Sequence, residues 1–163
     1  MRRKSFAGMS CSVAASLEEV GDWWTLLIVR DALLGLRRFE DFRESLGIAR
    51  NILSNRLERL VRSGILERRT YQEHPPRKEY RLTEKGRDLL PVIVTLMRWG
   101  DRWLWPPGQQ PFLLIHQDCG QETKAKLVCQ ECGGDVTARN TRRMPSPGLD
   151  LSRLNAVQLR LVR

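Results

Sequence analysis

Gly64-Ile65-Leu66-Glu67-Arg68-Arg69-Thr70-Tyr71, then Gln72-Glu73-His74-Pro75-Pro76-Arg77, then Lys78-Glu79-Tyr80-Arg81-Leu82-Thr83-Glu84-Lys85-Gly86 is the stretch that decides the fold. Before it, apolar residues recur with helical spacing and glycines punctuate the chain. Within it the period changes. Ile65 to Tyr71 predicts one strand and Lys78 to Thr83 a second. Two prolines between them forbid regular pairing, so Gln72 to Arg77 is expected at an exposed hairpin tip. Thr83 then offers a helix-capping hydroxyl, with Gly86 at the third helical position.

Upstream, Arg50 to Ser63 predicts a helix stopped by Gly64. Gly47 separates it from a shorter helix, Phe39 to Leu46. Trp23 to Leu34 is apolar nearly all round, as expected of a helix central to a small core. Gly35 ends it, and Ser12 to Val20 precedes it as another short helix. Downstream, Glu84 to about Trp103 reads as one long helix carrying Leu89, Leu90, Val92, Ile93, Leu96, Met97, Trp99 and Trp103, kinked at Pro91. Trp105-Pro106-Pro107-Gly108 stops it and suggests a domain boundary. The expected division is 1–105 and 106–163. The fold class is mainly α with a small β wing: a winged helix-turn-helix followed by a zinc-ribbon-like β module.

Composition allows this and narrows the function. In 163 residues, 41% are hydrophobic and 29% charged, enough for a core in a soluble protein. Lys and Arg number 28 against 19 Asp and Glu, a net charge of +9. Such a balance suits an anionic partner, nucleic acid first, although it also serves plain solubility. No apolar run approaches the roughly 18 residues that span a bilayer. The basic start, Met1-Arg2-Arg3-Lys4-Ser5, is not followed by the apolar stretch of a signal peptide. A cytoplasmic protein without membrane partners is expected. No carboxylate pair, Ser-His-Asp set or phosphate-binding glycine loop suggests an enzyme.

On a wheel of Arg50 to Arg62, Leu53, Leu57, Leu60 and Val61 share the core side. Asn51, Asn55, Glu58, Arg59 and Arg62 face away, with Arg50 and Ser54 on the flanks. Asn reads adenine and Arg reads guanine through paired hydrogen bonds. A polar helix face alone is usually just solvated. Here it follows a bracing helix and precedes a basic hairpin, the order of a winged helix-turn-helix. Arg77 and Lys78 at the hairpin tip suit phosphate clamps, and Arg37 and Arg38 are further candidates.

At these residues the chain resembles the HxlR family of bacterial transcriptional regulators. The resemblance rests on Cys11-Ser12-Val13, Gly21-Asp22-Trp23-Trp24-Thr25-Leu26-Leu27-Ile28, Arg38-Phe39-Glu40-Asp41-Phe42, Leu53-Ser54-Asn55-Arg56-Leu57, Gly64-Ile65-Leu66-Glu67-Arg68, Pro75 to Gly86, and Trp99-Gly100. It covers about residues 11–105. It implies a MarR-like fold and a homodimer on an imperfectly palindromic double-stranded DNA operator. Arg50, Asn51, Ser54 and Asn55 would read DNA, and Arg77 and Lys78 would serve the wing. Ala49 departs from the pattern, because relatives often carry a capping Ser there. The resemblance also implies a role for Cys11, since some members sense oxidants or electrophiles at this position. Arg2, Arg3, Lys4 and a following helix would favour its thiolate. The opposing reading is an inert, buried cysteine. A small-molecule or oxidant inducer fits this class.

Three cysteines remain. His116-Gln117-Asp118-Cys119-Gly120 and Cys129-Gln130-Glu131-Cys132-Gly133 are two knuckles. Two residues between ligands let a tight turn aim both at one metal. His116, Cys119, Cys129 and Cys132 make a closed set for a structural zinc ion. A Cys129–Cys132 disulfide is the competing reading. Two other function classes stay open: a redox protein using Cys129 and Cys132, and a zinc-dependent protein-interaction module that no longer binds DNA. The former lacks the βαβ setting such a motif requires. Arg139, Arg142 and Arg143 either touch DNA or solubilise the tail. The last segment, with Leu149, Leu151, Leu154, Val157, Leu159 and Leu161, is amphipathic and suits a strand or a helix.

Overall fold

The glycine stops and the change of period translate into the element order. The computed structural model describes residues 5, 6 and 8–160. Helices α1 (Ser12–Val20), α2 (Trp23–Leu33), α3 (Phe39–Leu46) and α4 (Arg50–Arg62) precede strands β1 (Leu66–Gln72) and β2 (Arg77–Leu82). Next come α5 (Glu84–Arg87), α6 (Leu90–Trp103), the two-residue strands β3 (Ile115–His116) and β4 (Gln121–Glu122), and α7 (Ala156–Arg160). The fold is mainly helical with a small antiparallel wing, as its periodicity predicts.

Contacts divide the chain into two compact units. One is Glu19–Ala125, the winged-helix unit; the other joins the chain up to Glu18 with Lys126 onward. The expected break at Trp105-Pro106-Pro107-Gly108 does end α6, but residues 106–125 group with the winged helix. The physical reason is docking of this segment on α6. Arg98 on α6 donates to the carbonyl of Ala125, and α6 shares a cavity lining with Phe112, Leu113 and Leu114.

The core of the winged-helix unit is built from Ile28 and Val29 of α2, Phe42 of α3, Leu53, Leu57 and Leu60 of α4, and Ile65 and Leu66 at the wing's base. Spacing of three and four residues along α4 stacks its leucines on one face. The expectation that α2 is buried all round is corrected. Trp23 and Leu34 at its ends are more than 70% exposed, while Thr25, Ile28, Val29 and Asp31 are buried. Buried Asp31 is satisfied by Arg30 (2.7 Å) and by the Ser45 hydroxyl (2.7 Å), which ties α2 to α3.

In the wing, Leu66 faces Leu82, Arg68 faces Tyr80 and Thr70 faces Lys78, with an irregularity between Thr70 and Gln72. The prolines lie in the turn at the tip, where they owe no ladder hydrogen bonds. Thr83 leaves the strand to cap α5. Its hydroxyl accepts from the Gly86 N–H (3.2 Å) and donates to the Gly64 carbonyl (2.6 Å). Gly86 is buried against the wing, and a Cβ there would lie 2.2 Å from the Ile65 carbonyl oxygen. Only glycine fits.

The single kinked helix expected from Glu84 to Trp103 is two helices. α5 stops at Arg87, and Pro91 occupies the first turn of α6. A proline has no N–H to donate, and the first turn of a helix requires none, so the chain starts a new helix there. The amphipathic tail is helical only in part: a 3-10 turn at Leu151–Arg153 precedes α7, which starts where the Asn155 side chain accepts from the Val157 and Gln158 N–H groups (3.0 and 2.9 Å). Leu161 lies outside the described residues.

Candidate nucleic-acid interface

The buried leucines of α4 dictate which side chains face outward. Arg50, Asn51, Asn55, Glu58 and Arg62 are exposed, and Ser54 and Arg59 are half-buried. The helix starts at Ala49, whose side chain cannot cap it. Asn51 compensates in part, its Oδ1 accepting from the Ile52 N–H (2.9 Å). Such a first turn presents partly free N–H groups, which suit a phosphate.

Arg50 is held rather than free. Its guanidinium pairs with Glu40 of α3 (2.5 Å) and lies 5.2 Å from the Phe39 ring centroid. Glu40 also accepts from Arg43 (2.7 Å). Hydrogen bonding from Arg43, then the charge and hydrogen bond of Arg50, holds the Glu40 carboxyl below its ordinary value. Asn55 accepts from Arg56 (3.0 Å). Arg56 in turn grips Asp22 with two hydrogen bonds of 2.8 and 3.0 Å. That fork clamps the outward helix to the start of α2, across 34 residues of sequence, and the helical pattern carries no signal for it. Arg56, Asp22 and Glu40 are the supporting residues that sequence reading missed.

Arg77 and Lys78 are exposed at the wing tip. Arg37 and Arg38, just before the bracing helix, are tied to the strands of the wing. The Arg37 carbonyl accepts from the Tyr80 N–H (2.8 Å), and the Arg38 guanidinium lies 5.2 Å from the Tyr71 ring. Arg68 approaches the Tyr80 ring in the same way (5.9 Å). Tyr71, just before the tip in β1, and Tyr80, in the middle of β2, were the available signal for this scaffolding.

Cys11 caps α1: its carbonyl accepts from the Ala15 N–H (3.0 Å). Its thiol is half-buried and its pKa is lowered, first by the backbone N–H groups of Ala14 and Val13, then by the charge of Arg143. Arg2, Arg3 and Lys4, expected to provide that charge, lie outside the described residues. Arg143, from the tail, provides it instead. Arg139 and Arg142 are exposed.

The two knuckles share one geometry, each inside its own unit. In the first, the Gly120 N–H donates to the His116 carbonyl (2.8 Å), and His116 pairs with Gln121 across β3 and β4. In the second, the Gly133 N–H donates to the Cys129 carbonyl (2.8 Å), and Val128 bridges Asp135. Gly120 and Gly133 have φ of 67° and 69°, the left-handed turn that glycine permits. His116 Nδ1 stands 3.3 Å from Cys119 Sγ, close to the roughly 3.6 Å between N and S ligands of a tetrahedral zinc. His116 Nε2 lies 3.6 Å from the Asp118 carboxylate, as a ligating histidine's second nitrogen often does. Cys129 is shifted toward thiolate by the N–H groups of Cys132 and Glu131. Each pair therefore fits zinc as half a site, and all four cysteines are free thiols. Among the described residues, no group of three or more His, Cys, Asp or Glu is gathered around one point.

A helix-turn-helix with an exposed polar second helix, braced by buried leucines and flanked by a basic wing, defines a DNA-binding protein of the winged helix class. Comparison with known proteins agrees. Residues 19–107 match the model of the HxlR-like helix-turn-helix family, and the chain belongs to that family. It is 49% identical over 137 residues to the uncharacterised HTH-type transcriptional regulator Rv3095 of Mycobacterium tuberculosis, covering 84% of this chain and 87% of that one. It is similar in structure to PA1607, described as a candidate transcription factor (TM-score 0.78, 38% identity, 88% of this chain and 100% of that chain). The oxidised form of the redox regulator HypR also resembles it (TM-score 0.53, 33% identity, 56% of this chain and 96% of that chain). The protein is thus a transcriptional regulator with a helix-turn-helix DNA-binding domain, a class that is not enzymatic. Among the described residues, no helix is long and apolar enough to cross a membrane.

Proposed function

We propose that the protein is a cytoplasmic homodimer that reads an imperfectly palindromic operator, with α4 in the major groove. The observation that carries this reading is the two-sided α4, with Leu53, Leu57 and Leu60 buried on one side. On the other, Arg50, Asn51, Ser54 and Asn55 read bases, and Arg59 flanks them. Arg77 and Lys78 of the wing, with Arg37 and Arg38 beside its strands, contact phosphates. The dimer rests on the exposed stripe Val92, Leu96, Trp99 and Trp103 of α6 and on exposed Val13 and Leu17 of α1.

His116, Cys119, Cys129 and Cys132 are proposed to hold one structural zinc ion, on their spacing and on the matching geometry of the two knuckles. A closed four-ligand set leaves no open position, so the metal would hold the fold and perform no chemistry. Cys11 is proposed as the redox-responsive residue, on its lowered pKa and on the likeness to a redox regulator. Its oxidation would alter α1 and with it the spacing of the two reading helices.

The test is selection of binding sites from random DNA by the full-length protein, followed by affinity measurement over a salt series. A paired half-site motif is expected, with log K falling linearly against log salt in proportion to the phosphates neutralised. Recovery of no enriched sequence, or an affinity indifferent to salt, overturns the reading.

A further inference from the structure

We infer that the cavity between α6 and the chain segment that follows it binds a small aromatic anion, with Arg98 as the residue that recognises its carboxylate. This rests on the cavity alone and does not depend on how the protein reads DNA.

The cavity encloses about 430 Å³, within the range of sites for small molecules. One wall is α6, through Val94, Met97 and Asp101; the other is segment 107–125, through Phe112, Leu114 and Ala125. Trp105 also lines it. Met97, Trp105 and Phe112 offer the polarisable, flat surface on which a planar ring packs. Phe112 is 78% exposed, so a ring laid against it removes apolar surface from water.

The polar groups select the charge of the ligand. Arg98, Arg102 and Lys124 reach the cavity, as do Asp101 and Glu122. Lys124 lies 3.6 Å from Glu122, and those two charges offset each other. Two guanidinium groups against one carboxylate leave a positive surplus in a partly enclosed space. Arg98 donates Nη1 to the Ala125 carbonyl on the facing wall. It makes no ion pair with a described carboxylate. A planar fork with remaining N–H groups is suited to a carboxylate.

A second copy of the chain is the competing occupant, and the helix geometry argues against it. At roughly 100° per residue, the exposed stripe Val92, Leu96, Trp99 and Trp103 lies on the opposite side of α6 from Val94, Met97, Arg98 and Asp101. A subunit seated on the stripe leaves the cavity open. A regulator with such a cavity has a place for a chemical signal next to the helix that carries its largest exposed apolar stripe.

The full-length protein is titrated with naphthoate and, separately, with uncharged naphthamide, by calorimetry and tryptophan fluorescence. Saturable binding of naphthoate at one site per chain is expected. Arg98→Gln should weaken naphthoate about tenfold and leave naphthamide nearly unchanged. Phe112→Ser, at an exposed position, should weaken both, and it carries the test if Arg98→Gln fails to fold by circular dichroism. No saturable naphthoate binding overturns the inference. So does an equal loss for acid and amide in Arg98→Gln, or binding that disappears as protein concentration rises and a second copy fills the cavity.

Discussion

Arg50 illustrates how one residue is prepared for a charged partner. It is exposed, yet Glu40 and the Phe39 ring hold it in place, so less side-chain entropy is lost on contact with DNA. Asn51 and Asn55 are the residues expected to carry sequence preference. Asn51→Ala or Asn55→Ala should relax it, at a cost of about 1–3 kcal/mol at one base position. Arg77→Ala should weaken specific and random DNA alike and flatten the salt dependence. Competition titrations with operator and scrambled duplexes separate these outcomes; equal losses on both DNAs for the Asn variants would reject the base-reading role. Cys11 makes a second prediction at this scale. Because its thiol pKa is lowered, its alkylation rate should reach half-maximum at a lower pH than that of cysteine in an unstructured peptide. Arg143→Ala should move the midpoint only slightly upward, since the backbone N–H groups are the larger cause. A midpoint at the peptide value would remove the basis for thiolate chemistry there.

At the scale of elements, the wing and α5 are joined at Gly86. A Cβ at this position meets the Ile65 carbonyl at 2.2 Å and a Leu82 methyl at 2.8 Å. The first is backbone and cannot move aside without shifting β1. Gly86→Ala should therefore destabilise the protein by about 3 kcal/mol or more. Gly100 lies inside α6, where a Cβ meets nothing within 4 Å, so Gly100→Ala should be neutral or stabilising by up to about 1 kcal/mol. Denaturant unfolding of the two variants checks both signs, and similar stabilities would disprove the close approach. Pro91 carries the same lesson. A proline inside an apolar run reads as a kink, but its position relative to the helix start depends on where the previous helix ends. That end is set by α5 packing on the wing, which lies outside any local window of sequence.

For the whole molecule, the surplus of exposed apolar side chains on α6 is the main demand for a partner. Trp99 and Trp103 are 55% and 62% exposed, more than an isolated regulator gains from leaving in water. Sedimentation at micromolar concentration should show a dimer, and Trp99→Glu with Trp103→Glu should yield a folded monomer with weakened operator binding. Two reading helices in such a dimer would address half-sites about 34 Å apart. A stable wild-type monomer would rule this out. The zinc proposal also belongs to this scale. Protein purified under reducing conditions should carry about one zinc per chain and lose it in acid, because the cysteines and His116 must be deprotonated to bind. Its removal should loosen the segments around the knuckles and leave the winged-helix core folded. A metal content below about a tenth of an equivalent, with thiols confirmed free, would leave the knuckles without that role.

By itself, the sequence determined the four helices before the wing, the wing, the Thr83 cap and the family. Each of these is local: periodicity, glycine and proline punctuation and capping chemistry act within a few residues. The buried face of α4 was legible for the same reason, since Leu53, Leu57 and Leu60 repeat at helical spacing. What only the tertiary structure decided involves residues far apart in the chain. The Arg56–Asp22 clamp, the Arg37 carbonyl on Tyr80, Arg143 beside Cys11, and the grouping of residues 106–125 with the winged helix all depend on how elements dock. Docking is settled by side-chain shape and by hydrogen-bond partners brought together in space, and no periodicity along the chain encodes those distances.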